Sequence, residues 1–212
     1  MTYFLSMEGN QFDHAIFISQ QAFALKILNN FCMSNCKIVS TPVAQGEKLT
    51  NNSNHERVDE KEYRSLVGCL LYLTATRPDI RFAATKRFFR FVKGTLDYGM
   101  KFEKAKELML LGYSDSDWAR SIEDMKSTSI YFFTLGSGVF CWISKKQQIV
   151  TQSTSEAEYI AAAIAINQAI WLRKLLCDLN EDRVEATEIR VDNQLAVATA
   201  KKSSISWKNQ TF

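Results

Sequence analysis

Residues 129–144 have the sequence Ser129-Ile-Tyr-Phe-Phe-Thr-Leu-Gly-Ser-Gly-Val-Phe-Cys-Trp-Ile-Ser144, which is the clearest hairpin pattern in the chain. Two runs of β-branched and aromatic residues flank a glycine turn, a pattern that predicts a β-hairpin. Lys145-Lys-Gln-Gln148 ends the second predicted strand. The apolar run from Leu108 predicts another strand before the hairpin, and this strand ends at Asp115.

A long helix is predicted after the hairpin. Ser153 and Glu156 have the spacing of a capping box, which places the helix start just before Glu158. The helix continues to about Leu179, and its expected core side carries Ile160, Ile164, Trp171, Leu175 and Leu179. Residues 187–191 predict a strand that ends at Asp192, and residues 195–201 predict another helix. The order from residue 108 onward is therefore strand, strand, strand, helix, strand, helix, which indicates a mixed α/β (α+β) class.

The first hundred residues have a different and mostly helical pattern. Two short apolar runs, residues 3–7 and 15–19, predict a hairpin around the polar residues 8–13. Helices are predicted over residues 20–31, 63–76 and about 83–96. The polar residues from 41 to about 58 predict a linker or surface loop.

The third of these helices has a basic side formed by Lys86, Arg90 and Lys93. Such a side can bind the phosphates of a nucleic acid. The alternative is an ordinary amphipathic helix whose cations face water.

Composition excludes several classes of protein. The chain has 212 residues, of which 46% are hydrophobic and 23% charged, as in a folded globular protein. Its net charge of +3 permits nucleic-acid binding without requiring it. Five scattered cysteines and two histidines do not form a zinc-binding pattern. Because there is no run of about 18 apolar residues and no signal-peptide pattern, we expect a cytoplasmic or nuclear protein, neither secreted nor bound to a membrane.

Three acids occur at the boundaries of predicted elements. Asp115 and Asp192 end predicted strands, and Glu158 lies in the first turns of the long helix. Taken singly, each acid fits a surface or capping role better than the role of a metal ligand. If the fold brings them together, the carboxylates need cations to neutralise them, and their hard oxygen atoms favour Mg²⁺. Ala161, Ala162 and Ala165 follow Glu158 at helical spacing and would let the helix approach a sheet closely.

Two ordered series of short motifs cover most of the chain. The later series comprises Gly112-Tyr-Ser-Asp-Ser-Asp-Trp118, Lys126-Ser-Thr-Ser129, Leu135-Gly-Ser-Gly138, Trp142-Ile-Ser-Lys-Lys-Gln147, Ser153-Thr-Ser-Glu-Ala-Glu-Tyr-Ile160, Ile170-Trp-Leu-Arg173 and Asp192-Asn-Gln194. The earlier series includes Tyr3-Phe-Leu-Ser-Met-Glu8, Ser40-Thr-Pro42, Tyr63-Arg-Ser-Leu-Val-Gly68, Leu71-Tyr-Leu-Thr-Ala-Thr-Arg-Pro-Asp79 and Lys93-Gly-Thr-Leu96. The later series closely resembles the ribonuclease H domain of Copia-type LTR-retrotransposon Pol polyproteins. The earlier one resembles the end of the reverse transcriptase in the same polyproteins.

This resemblance implies a domain organisation. Residues 1–100 would be a small, mostly helical remnant of the reverse transcriptase (the end of the palm, the thumb and the connection). Residues 108–202 would be a ribonuclease H-like domain of βββαβα order whose final elements are missing, and residues 203–212 an unmatched tail. The polymerase motif Tyr-x-Asp-Asp does not occur in the chain, so we expect no polymerase activity.

The resemblance also implies a catalytic site. It places the catalytic and metal-binding acids at Asp115, Glu158 and Asp192, which would hold two Mg²⁺ ions. Asp117 and Glu156 are neighbouring alternatives; Glu158 is preferred because the glutamate of the family directly precedes an apolar-Ala-Ala segment. The family has a fourth aspartate further along, but no Asp or Glu follows Asp192, so the second ion site is expected to be incomplete.

Two functions follow from these expectations. One is hydrolysis of the RNA strand of RNA–DNA hybrids, recognised through backbone shape and 2′-hydroxyl groups. The other is an inactive retroelement remnant that binds nucleic acid weakly. Asn193 and Gln194 are candidate contacts to the nucleic acid, with turn formation as the alternative role.

Overall fold

The computed structural model describes residues 2–42, 59–80, 86–105, 108–121, 123–181 and 186–199. The chain divides into two compact units, Met1–Lys104 and Ala105–Phe212. Each unit has its own four-stranded sheet and its own hydrophobic core. Most of the predicted linker and all of the predicted tail, residues 203–212, lie outside the described residues.

The first unit combines an antiparallel sheet with helices. Its strands lie in chain order in the sheet: β1 (Thr2–Phe4), β2 (Met7–Gln11), β3 (Ala15–Ser19) and β4 (Gly99–Glu103). Its helices are α1 (Gln21–Asn30), α2 (Glu60–Leu73) and α3 (Lys86–Gly94), with a 3₁₀ turn at Pro78–Ile80. The three predicted helices are present, and the sheet is larger than expected, because β2 and β4 were not predicted.

The predicted turn over residues 8–13 consists mainly of the strand β2. The chain reverses earlier, at Leu5 and Ser6, which both have positive φ angles of 46° and 57°. A two-residue hairpin turn requires such angles and usually contains glycine or asparagine. Because neither glycine nor asparagine occupies these two positions, no local pattern predicted the turn.

Arg77 organises the core of the first unit. Its guanidinium is 4% exposed and forms two hydrogen bonds with the Asp79 carboxylate, at 2.7 and 2.9 Å. It also donates to the backbone oxygen and to the hydroxyl of Thr95, each at 2.8 Å. The rings of Phe91 and Tyr98 lie 5.6 and 5.2 Å from the guanidinium carbon. These contacts join the end of α2 to the end of α3.

The second unit has the predicted element order. Three antiparallel strands, β5 (Leu110–Asp117), β6 (Thr128–Leu135) and β7 (Gly138–Lys146), precede α4 (Thr154–Asp178) and β8 (Glu188–Val191). A final helix, α5, is described over residues 194–199. The sheet order is β7-β6-β5-β8, and β8 pairs with β5 in parallel. The mixed α/β class is therefore confirmed.

The helix α4 packs on the sheet through its alanine face. Ala157, Ala161 and Ala165 are completely buried. Small side chains on this face let the helix backbone lie close to the sheet. On β5, the space above Gly112 is filled by the Phe133 ring of the neighbouring strand β6, since a Cβ atom added at Gly112 would lie 2.6 Å from that ring.

The predicted core side of α4 was wrong for its large residues. Ile164, Trp171, Leu175 and Leu179 are 38%, 55%, 39% and 64% exposed, respectively. The alanine face packs against the sheet instead, so these bulkier side chains lie on other sides of the helix. Among the described residues, α4 is the one helix with the length and apolar composition of a membrane span, and here it covers the sheet of a globular unit.

Candidate metal centre

The fold brings the three predicted acids together. Asp115 lies near the end of β5, Asp192 directly follows β8, and these parallel neighbours end at the same edge of the sheet. Glu158 extends from the second turn of α4. One carboxylate oxygen atom from each residue lies within 4.8 Å of the other two. The two aspartates are exposed and the glutamate is buried.

Glu158 is the acid of this cluster whose ionised form is disfavoured by its surroundings. Burial, together with the charges of Asp115 and Asp192, raises the pKa of its carboxyl from the usual 4.5 to about 7. The backbone N–H of Ser116 donates to Glu158 Oε1 at 2.9 Å, which opposes the rise. The same N–H also donates to Asp115 Oδ1 at 2.7 Å. A proton or a cation is therefore needed to neutralise the ionised cluster near neutral pH.

The donor atoms fit a divalent cation. Glu158 Oε2 is buried and has no hydrogen-bond partner among the described residues, so it is left with a free acceptor beside two other carboxylates. An oxygen atom in this state costs free energy unless a proton or a metal ion satisfies it. Three hard carboxylate ligands suit Mg²⁺ or Mn²⁺. The exposed aspartates leave one side open to water and to a substrate.

The two alternative acids have other partners. The Asp117 carboxylate forms an ion pair with Arg120. The Glu156 carboxylate accepts the N–H of Gln152 at 2.7 Å, and the Glu156 N–H donates to the Ser153 hydroxyl at 3.2 Å. Glu156 therefore serves at the start of α4, as its position in the capping box predicts.

Three of the predicted nucleic-acid contacts, Asn193, Arg90 and Lys93, form hydrogen bonds within the protein. Asn193 Oδ1 accepts the N–H of Ala196 at 3.0 Å, which caps α5. Gln194 is exposed in the first turn of that helix. Arg90 Nε and Lys93 Nζ donate to the backbone oxygen atoms of Lys37 and Cys36, at 2.7 and 2.9 Å. The side chain of Lys86 lies outside the described part of the chain.

A surface cavity of about 360 Å³ adjoins the acids, and both Asp115 and Asp192 line it. Its floor is a row of side chains paired across three strands, namely Arg190, Tyr113 and Phe132. The two rings stack at 4.5 Å, and the Arg190 guanidinium carbon lies 5.7 Å from the centre of the Tyr113 ring. No local sequence pattern predicted this row, because its members lie on three separate elements.

These features define the class of the protein. The unit has a sheet of order β7-β6-β5-β8 covered by one long helix. Two acids lie where its parallel strands end and a third lies on the helix, so it is a mixed α/β unit with a candidate divalent-metal centre.

Comparison with known proteins identifies the family. The chain is 36% identical over 208 residues to the retrovirus-related Pol polyprotein from transposon RE2 of Arabidopsis thaliana, and the match covers 90% of this chain and 14% of that protein. It is 34% identical over 212 residues to the corresponding polyprotein from transposon TNT 1-94 of Nicotiana tabacum, covering 89% of this chain and 16% of the relative. The chain therefore spans about one seventh of the length of these relatives.

A shorter relative is matched over most of its length. The uncharacterized mitochondrial protein AtMg00810 of Arabidopsis thaliana is 35% identical over an alignment of 187 residues, and the match covers 80% of this chain and 77% of that protein. The chain belongs to the family of retrovirus-related Pol polyproteins from Copia-type transposons. No family model and no solved structure matches the chain.

Proposed function

We propose that the second unit is a ribonuclease H-like domain that hydrolyses the RNA strand of RNA–DNA hybrids with the help of Mg²⁺. The observation that carries this proposal is the cluster of Asp115, Glu158 and Asp192, with its buried and unpartnered Glu158 Oε2. Membership of a Pol polyprotein family supports a nucleic-acid substrate. The element order βββαβα supports the ribonuclease H-like fold.

The protein residues would act mainly by holding and orienting groups. Asp115 and Asp192, on the open side of the cluster, would contact metal ions that also touch the substrate. Glu158 would complete the ligand set from the buried side, with its carboxylate oriented by the Ser116 N–H. Bound divalent ions supply an activated water molecule and stabilise the leaving oxygen atom. The hybrid would be recognised through its backbone and 2′-hydroxyl groups, which requires no base-specific contact.

The proposal is tested with a labelled RNA–DNA hybrid and Mg²⁺. We expect the protein to release RNA fragments and the Asp115→Asn variant to release none. The matched control is Asp117→Asn, two residues further along the same strand and paired with Arg120, which should keep its activity. A folded protein that releases no RNA fragments with either Mg²⁺ or Mn²⁺ would refute the proposal.

A second candidate function is nucleic-acid binding without hydrolysis. The size of the acid cluster favours it: three carboxylates can hold one divalent ion, but they leave a second ion with few protein ligands. The same experiment separates the two functions. Retention of the hybrid in a gel-shift assay without any cleavage would support the second function over the first.

A further inference from the structure

A buried group of polar side chains lies behind the candidate metal centre, and we call it the Gln147 network. Its members come from three segments and are almost completely buried: Ser127 is 0%, Ser129 2%, Thr151 3% and Gln147 5% exposed. The hydroxyls of Ser127 and Thr151 lie 2.8 Å apart. Buried polar groups must find partners within the protein, so the geometry of such a network is tightly constrained.

Gln147 links β6 to the start of α4. Its side-chain Nε2 donates to the Ser129 hydroxyl at 2.8 Å and to the backbone oxygen of Ala157 at 3.0 Å. A backbone carbonyl can only accept, so the amide nitrogen, and not the amide oxygen, must face Ala157. The backbone N–H of Gln147 donates to the Ser127 oxygen at 2.8 Å, which anchors the residue itself.

These contacts reach Glu158 from two directions. The Ala157 carbonyl belongs to the peptide group that directly precedes Glu158, so the Gln147 amide holds the backbone from which the catalytic candidate extends. Ser129 pairs directly with Ser116 across β6 and β5. Ser116 in turn donates its N–H to the Glu158 carboxylate at 2.9 Å. The backbone and the carboxylate of Glu158 are therefore tied to neighbouring points of one sheet.

Stability alone does not account for a glutamine at this position. Gln147 Oε1 is buried and has no hydrogen-bond partner among the described residues. An unpaired buried acceptor lowers stability, and this loss offsets part of the gain from the two bonds made by Nε2. A side chain of similar length without polar atoms would fill the same space and remove the unpaired oxygen.

We propose that Gln147 is a positioning residue of the metal centre: its amide fixes the first turn of α4, so that the Glu158 carboxylate stays beside Asp115 and Asp192. The inference relies on one part of the proposed function, namely that the three acids bind a divalent ion. A residue that acts through a ligand in this way affects metal affinity more than folding.

The test compares Gln147→Met with Gln148→Met. The first variant keeps the length of the side chain and removes its donors; the second changes the neighbouring glutamine, which is exposed. We expect Gln147→Met to raise the Mn²⁺ dissociation constant about tenfold or more, to lower hybrid cleavage in parallel, and to leave the melting temperature nearly unchanged. Gln148→Met should match the unmodified protein in all three measurements.

A second measurement does not depend on metal. Amide hydrogen exchange of the metal-free protein should become faster at residues 157–161 in Gln147→Met and stay unchanged further along α4. If the unmodified protein binds no Mn²⁺, the proposed function fails, and hydrogen exchange alone then decides on the positioning role. Unchanged exchange at residues 157–161, or unchanged Mn²⁺ affinity in a protein that binds Mn²⁺, would overturn the inference.

A milder variant covers the case in which Gln147→Met does not fold. Ser129→Ala removes one of the two acceptors of the Gln147 amide and leaves the contact with Ala157. We expect a smaller shift in the same direction, with faster exchange at residues 157–161. A folded Ser129→Ala protein with the exchange and Mn²⁺ affinity of the unmodified protein would also overturn the inference.

Discussion

The pH dependence of metal binding follows from the buried position of Glu158. The pKa of its carboxyl is raised to about 7, and the proton must leave before the carboxylate can coordinate a cation. With this pKa, about one tenth of the Glu158 carboxyl groups are ionised at pH 6 and about nine tenths at pH 8. We therefore expect Mn²⁺ to bind about tenfold more tightly at pH 8 than at pH 6.

Isothermal titration calorimetry measures this effect in two ways. The dissociation constant should fall by the stated factor, and binding at pH 7 should release about half a proton, detected by repeating the titration in buffers of different ionisation enthalpy. Glu158→Gln has no proton to release at this position, so residual binding by this variant should lose that part of the pH dependence. An Mn²⁺ affinity that is constant from pH 6 to pH 8 in the unmodified protein would show that metal binding does not require the loss of the Glu158 proton.

Three further predictions concern stability. Glu158 keeps its proton to a higher pH in the folded protein than in the unfolded chain. The free energy of unfolding of the metal-free protein should therefore fall as the pH rises from about 4.5 to about 7. Glu158→Gln removes this loss, so it should raise the melting temperature at pH 8 but not at pH 5. Arg77→Met should lower the free energy of unfolding, measured in urea, by about 3 kcal/mol, because it removes a buried charge with four hydrogen bonds. The control Arg64→Met removes one partner of an ion pair whose two side chains are each 77% exposed, so it should lower this free energy by under about 0.5 kcal/mol. Gly112→Ala should lower the free energy of unfolding by about 1–3 kcal/mol, because its Cβ atom would collide with the Phe133 ring. Gly68→Ala, with open space on the exposed side of α2, should raise it by about 0.5–1 kcal/mol. Equal effects at the two glycines would contradict the close contact between Gly112 and Phe133.

Local signals were sufficient for most elements of the second unit. The hairpin of β6 and β7 combines β-branched and aromatic residues with Gly136, whose φ of 62° suits a turn. Ser153 caps α4 as its spacing with Glu156 predicts. In the first unit the turn at Leu5 and Ser6 carries no such signal, so the strand β2 was predicted as a loop.

Contacts between distant elements were harder to predict. The large apolar residues of α4 indicated a core face, but the alanine face is the one buried against the sheet, and this choice depends on packing with strands that are distant in the chain. The acids could be located because two of them end strands and the motifs around them resemble a known family. Gln147 follows two lysines at the end of a predicted strand, a position with no signal for burial. Its burial depends on Ser129 and Ala157, which approach it only in the folded chain.

The anomalous diffraction signal of Mn²⁺, in crystals of this protein grown or soaked at pH 8, tests directly whether Asp115, Glu158 and Asp192 bind a metal ion. We predict a peak at the edge of the sheet, about 2.1 Å from oxygen atoms of Asp115, Glu158 and Asp192. No peak at these carboxylates in saturating Mn²⁺, or a peak only at other acids such as Asp117 or Glu156, would contradict the assignment of the metal centre.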